Sequence, residues 1–260
     1  QQVTRRFYHD VNDKEGIRSN SIYSLLIDDR GAVWVGHFQA GLDYSLYQNG
    51  LFRTYDYPPL FNSANLSIRS FVNKGQEKVI GSRDGLFYIN EATGVVKSFV
   101  KPVLTSDLIL TICFYQGEYY IGTYGGGMMV LNPETLSLKY FAQGDTELFQ
   151  KGHIFCVKPD AKGNLWIGTS QGLFSYNGQT KQIKSFTSAN SQLPEGNVYE
   201  VSFDSTGKGW IATETGMCIY DPASQSLRSN VFPEGFVNKD KVRTIYEDAG
   251  HNLYFIREKG

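Results

Sequence analysis

Acid–base or metal chemistry in this 260-residue chain would fall first to its four histidines, His9, His37, His153 and His251. They are scattered, with no His-x-x-x-His pair and no carboxylate at ligand spacing, so no metal site is expected. Cys113, Cys156 and Cys218 lie far apart in apolar runs. An odd, widely spaced set reads as buried free thiols rather than a disulfide framework or zinc ligands. No Gly-x-Ser-x-Gly elbow or phosphate loop occurs; the run Gly125-Gly126-Gly127 is not followed by Lys and Ser or Thr, and reads as a tight strand turn. Asp-x-x-Gly segments such as Asp160-Ala161-Lys162-Gly163 are too short for a calcium loop and read as hairpin turns. The sequence thus predicts no catalytic residue, no metal and no cofactor.

Binding is the chemistry it does support. Seventeen Tyr and 17 Phe supply flat faces that suit the C–H surface of a sugar, and arginines suit a carboxylate or sulfate carried on one. The ligand-binding candidates are His37, Arg69, Arg83, Asp84, Tyr124, His153, Gln171, Tyr199, Glu214, Arg243 and Arg257, with Tyr23, Phe38, Gln39, Ser170 and Asn197 beside them. A formal net charge of -1 argues against nucleic acid as the partner. No 18-residue apolar stretch crosses a membrane, and the first residues lack the apolar core of a signal peptide.

What must position these residues is a repeat. The triplets Trp34-Val35-Gly36, Val79-Ile80-Gly81, Tyr120-Ile121-Gly122, Trp166-Ile167-Gly168, Trp210-Ile211-Ala212 and Tyr254-Phe255-Ile256 follow one another at 45, 41, 46, 44 and 44 residues. Each unit resolves into four short strands. In the fourth these are 154–157, 165–168, 173–176 and 183–186, with the Asp160 turn between the first two. Four strands at this period make a propeller blade, and no stretch sustains a helical apolar period. The expected fold is all-β, a β-propeller of four-stranded antiparallel blades. The Trp is expected to pack on the adjacent blade. Ser24, Ser70, Thr111, Cys156 and Thr244 form a small-residue column in the first strands, with Glu200 its exception, which must be paired or open to water. The candidates then fall on one face, in the loops between second and third strands and at the starts of first strands.

The units are placed at 4–20 (a closing outer strand and connection), 21–57, 65–100, 106–142, 152–187, 196–232 and 240–260, as one incomplete propeller domain over 1–260. About five full blades and two partial ones are present, against seven expected in the complete ring. The array enters and leaves mid-blade, at Thr4-Arg5 and Lys259-Gly260, so the chain is expected to be part of a longer polypeptide.

The fourth unit, with Asp160-Ala161-Lys162-Gly163, Leu165-Trp166-Ile167-Gly168-Thr169 and Gly172-Leu173, closely resembles the two-component regulator propeller repeat. The first matches through Asp29 to Gly36 and Gly41-Leu42, the fifth through Trp210 to Thr213 and Gly216-Met217, and Asp13 to Ile22 is similar to the family's lead into a first blade. The second and third depart, with Val79 and Tyr120 in the Trp position. The resemblance implies a periplasmic sensor of a hybrid two-component system of glycan-using gut bacteria. There, two propellers precede an immunoglobulin-like domain, a membrane helix and a cytoplasmic histidine kinase, which together control polysaccharide utilisation through transcription. The implied partners are an oligosaccharide and a second receptor subunit, with membrane attachment through downstream segments; Gln1-Gln2 would follow signal cleavage. This domain itself is expected not to be an enzyme. The alternatives are a protein-interaction or dimerisation scaffold, and a propeller lyase or hydrolase assembled from the loops of several blades.

Overall fold

The computed structural model describes residues 6–28, 30–45, 51–55, 66–141, 146–229, 241–248 and 250–257. Thr4-Arg5 of the expected closing strand and Lys259-Gly260 lie outside the described residues. The chain forms two compact units, Gln1–Ile112 and Cys113–Gly260.

The fold is all-β and built of propeller blades, each an antiparallel meander in chain order. The first blade is β1 (Ile22–Ile27), β2 (Val33–His37), β3 (Leu42–Ser45) and β4 (Phe52–Thr54); the second is β5 (Ile68–Lys74), β6 (Glu77–Ser82), β7 (Leu86–Asn90) and β8 (Val95–Phe99). The third holds β9 (Ile109–Tyr115), β10 (Glu118–Thr123), β11 (Met128–Leu131) and β12 (Leu138–Tyr140). A short helix, α1 (Thr146–Lys151), precedes the fourth blade of β13 (Ile154–Pro159), β14 (Asn164–Thr169), β15 (Gly172–Asn177) and β16 (Ile183–Phe186). The fifth is β17 (Val198–Phe203), β18 (Gly209–Thr213), β19 (Gly216–Asp221) and β20 (Ser226–Arg228), and β21 (Val242–Glu247) pairs with β22 (Leu253–Arg257) in the sixth.

The Asp of the turn and the Trp of the second strand form one lock. Asp28 Oδ1 accepts the backbone N–H groups of Arg30 and Ala32, while Oδ2 accepts the Trp34 indole N–H at 3.0 Å. Asp160 does the same for Lys162, Asn164 and Trp166, and Asp204 for Thr206, Lys208 and Trp210. In the sixth unit Asp248 bonds the Tyr254 hydroxyl instead. Burial pushes Asp28 and Asp204 upward, but the donors converging on them win and hold both carboxyls below the usual Asp range. In the second and third units, where Val79 and Tyr120 stand in the Trp position, no such lock forms among the described residues. The second unit turns on Gly75, and the third on Gln116-Gly117, both at positive φ as a two-residue hairpin prefers. Each Trp also packs on the next blade, Trp34 against Phe71 at 5.0 Å, Trp166 against Phe203 at 5.7 Å and Trp210 against Phe255 at 6.1 Å.

The small-residue column has a steric cause. Ser24 lies opposite Gly36, and a Cβ on that glycine would fall 2.1 Å from Ser24 Oγ and 3.0 Å from Ile68 of the next blade. Glu200, the exception, lies 3.6 Å from Lys158 Nζ, and the lysine side chain is 50% exposed, so the carboxylate is paired and near water. Burial pushes Glu200 upward despite Lys158; the carboxylate in turn raises Lys158. β1 differs from the other first strands. Ile22 and Leu25 are 48% and 64% exposed, where Ile68 and Phe71, or Val198 and Val201, are buried.

Candidate functional site

One irregularity recurs in the first strands and aims side chains. In β1–β2, β5–β6, β13–β14, β17–β18 and β21–β22 the register shifts by a residue just after the strand begins. The extra residues are Tyr23, Arg69, Phe155, Tyr199 and Arg243. A bulge leaves its residue out of the ladder and redirects it. Consecutive bulges meet: the Arg69 guanidinium lies over the Tyr23 ring at 4.8 Å, Phe155 meets Tyr199 at 5.1 Å, and Arg243 lies over Tyr199 at 4.6 Å.

In the unit Cys113–Gly260 this row continues to His153 and Tyr124. Tyr124, 50% exposed, stacks on the His153 imidazole at 4.0 Å and 30°, and His153 lies 6.1 Å from Phe155. His153 Nδ1 is buried and makes no hydrogen bond. The glycine run and α1 place this pair. Leu148 and Phe149 bury the helix, and its end is tied by the Gly152 N–H to the Leu148 carbonyl and by the Gly127 N–H to the Gly152 carbonyl. Gly127 (φ +70) lies so close to the helix backbone that a Cβ would fall 2.0 Å from the Phe149 carbonyl oxygen. The run is therefore both the expected strand turn and a seat for α1. A helix this short carries too little periodicity to be read from sequence. At the row's other end, Lys241 Nζ lies 5.2 Å from the Tyr199 ring and 3.8 Å from Glu214, which also accepts the Asn197 N–H. The Asn197 amide donates to the Tyr199 hydroxyl.

Of the candidates, His153, Tyr124, Tyr199, Glu214 and Arg243 thus come together in one unit. Phe155 and Lys241 join them unannounced. Phe155 reads as an ordinary strand residue until the bulge turns it out, and its alignment with Tyr23 and Tyr199 was the available signal. Gln171 is exposed on the β14–β15 turn, its N–H donating to Thr169 Oγ1, while the neighbouring Ser170 N–H donates to the His153 carbonyl. Arg257 ends β22 opposite Val242, beside the Arg243 bulge. In the other unit, Arg69 stacks on Tyr23, and Arg83 and Asp84 are exposed on the β6–β7 turn.

His37 is a correction. It is fully buried, with Nε2 2.8 Å from Asp43 Oδ2, and presents nothing to a ligand. It occupies the slot held elsewhere by Ser82, Thr123, Thr169 and Thr213, whose hydroxyls donate to the carbonyl of the glycine beyond the turn. In the first blade Asp43 takes over, and also accepts the Arg18 N–H, so this pair pins the lead-in segment to the blade.

Ser205, His251 and Glu247 converge, but the same His251 Nδ1 faces both Ser205 Oγ (3.1 Å) and Glu247 (2.9 Å). A relay uses the two ring nitrogens separately. Burial pushes the thiols upward, Cys113 to about 11 and Cys218 to about 12, which leaves them poor nucleophiles.

Two segments, 16–39 and 149–171, match the family model described as the two component regulator propeller. They span the connection, lock and triplet of the first blade and the helix end, lock and triplet of the fourth. The match to this repeat thus falls on the first and fourth blades. No curated protein sequence gives a significant match. Among solved structures, the chain superposes on the extracellular domain of a proposed hybrid two component system, BT3049, from B. thetaiotaomicron (TM-score 0.75, 23% identity, 92% of this chain and 33% of that one). They also match the extracellular domain of BT4673 from the same organism (0.64, 16%, 96% and 38%) and PorZ, a surface component of the type-IX secretion system of Porphyromonas gingivalis (0.64, 15%, 90% and 37%). The chain spans about a third of the length of these structures, and at such identities the likeness is one of fold. Among the described residues no helix is long and apolar enough to cross a membrane, which leaves strand-built barrels unaddressed.

Proposed function

We propose that this chain is the ligand-sensing part of an extracytoplasmic, periplasmic two-component receptor, and that it binds an oligosaccharide released from a larger polysaccharide. The observation that carries the reading is the row Tyr124–His153–Phe155–Tyr199–Arg243, an exposed aromatic stack continuing into half-buried rings and closed by cations. Flat rings in succession suit the apolar faces of successive sugar units, and the flanking amide, guanidinium and carboxylate suit their hydroxyls. The repeats and the extracellular two-component domains of like fold support the sensor role. Binding would act on a histidine kinase elsewhere in the parent protein by shifting how two receptor subunits pack. Calorimetry of the chain against a panel of neutral and acidic oligosaccharides tests this. Binding without turnover, weakened by Tyr124→Ala, is expected; a silent panel favours a scaffold, and product formation a propeller lyase or hydrolase.

A further inference from the structure

The Tyr-then-Arg stack occurs twice, and the two copies differ in the charged groups beside the ring. Around Tyr199 the cations Arg243 and Lys241 are accompanied by the carboxylate of Glu214. Among the described residues Arg69 forms no ion pair, and its Nε is buried without an acceptor. A cation–π contact occupies the face of a guanidinium and leaves its N–H edge unused. A buried donor that meets no acceptor in the protein alone marks a place where something else supplies one.

The surroundings say what kind of acceptor fits. Tyr23 is about half exposed, and Phe38 meets it at 5.1 Å, so an apolar wall stands beside the guanidinium. The loops here are tied together: the Phe38 N–H donates to the Ser21 carbonyl, the Gln39 N–H to Ser67 Oγ and the Arg83 N–H to the Ser67 carbonyl. Arg83 is exposed on these tied loops, with Asp84 next to it, also exposed and on the β6–β7 turn.

We propose that Tyr23, Phe38 and Arg69 form a binding site for a carboxylate borne on a ring with an apolar face, an acidic sugar being the fitting class. The carboxylate meets the guanidinium edge, in the paired geometry that Arg rather than Lys supplies, and the ring packs on Tyr23 and Phe38. This site uses none of the residues of the Tyr124–Arg243 row, so it can fail while the sensing proposal stands, and the reverse.

The test is a ligand-observed NMR titration of the chain with glucuronate, glucose and inorganic sulfate. Glucuronate is expected to bind at least roughly tenfold more tightly than either of the others, since glucose lacks the charge and sulfate the ring. Arg69→Lys keeps the charge but not the fork, and should weaken glucuronate roughly tenfold with the unfolding midpoint unchanged; Tyr23→Leu should weaken it by a smaller factor. Equal affinities for glucuronate and glucose, sulfate binding as tightly as glucuronate, or an Arg69→Lys variant that binds like the parent would each overturn the proposal.

Discussion

Removing the carboxylate of Asp28 should cost far more than a surface turn residue normally does, and the loss should be shared with Trp34. Asp28 is buried and takes five donors: two backbone N–H groups of its own turn, the Trp34 indole, the Asn73 amide of the next blade at 2.8 Å and, at 3.5 Å, the exposed Arg30 guanidinium. A hydrogen bond to a charged group contributes about 1.5–3 kcal/mol, and a buried donor left unpaired costs about 1–3 kcal/mol. The turn N–H of Arg30 can turn to water, so its share is small; the enclosed Trp34 indole cannot. Asp28→Ala should therefore destabilise by about 3 kcal/mol, a midpoint drop on the order of 6–12 °C for a chain of this size. Trp34→Phe removes the orphaned donor along with the bond, so the double variant should lose about 1–2 kcal/mol less than the two singles combined. Equilibrium urea unfolding of the four proteins, followed by tryptophan fluorescence and by circular dichroism, measures this; each variant's two probes must coincide for the comparison to hold. Strict additivity, or a loss below about 0.5 kcal/mol for Asp28→Ala, would refute the lock as the cause of the Asp–Trp pattern.

Other outcomes follow from the same geometry. Asp28 and Asp204 have depressed folded pKa values, so their stabilisation is present above the unfolded Asp value of about 4 and is lost as pH falls through the lower folded values. Acid titration of stability should show this limb, and Asp28→Asn should flatten it. Gly127→Ala combines a left-handed backbone with a clash on α1, and should cost about 2 kcal/mol or more while disturbing the Tyr124–His153 stack, read by the imidazole NMR shifts. Lys158→Met leaves Glu200 without its partner and raises it further; a raised Glu loses stability as pH climbs from its unfolded toward its folded value. The variant should thus differ little from the parent near pH 4 and by about 1 kcal/mol at pH 8, a modest figure because Lys158 is half exposed.

The blades were legible because a propeller repeats its instructions: the lock, the triplet and the glycine after the turn recur, so one unit explains the rest. The column from Ser24 to Thr244, with its exception at Glu200, followed from the same alignment. The bulge was not legible. It breaks the two-residue alternation at a single position, and nothing in Phe155 or Arg69 announces that its neighbours have slipped by one. His37 was misplaced because it follows a Trp-x-Gly triplet where a loop was due; the buried hydroxyls at Ser82, Thr123, Thr169 and Thr213 in the same column were the signal against that. Six residues of α1 are too few for a helical period, and its anchors Leu148 and Phe149 look like any apolar pair. Tyr124 and His153 were each visible as candidates, but their stacking depends on that helix.

The central claim is that the row from Tyr124 to Arg243 holds a glycan, and calorimetry with an oligosaccharide panel tests it most directly. The account predicts that at least one oligosaccharide binds without being consumed and that Tyr124→Ala and Tyr199→Ala each weaken it roughly tenfold, with the unfolding midpoint of the exposed Tyr124 variant unchanged. A panel that gives no heat with the parent chain, or variants that bind as tightly as the parent, would contradict it.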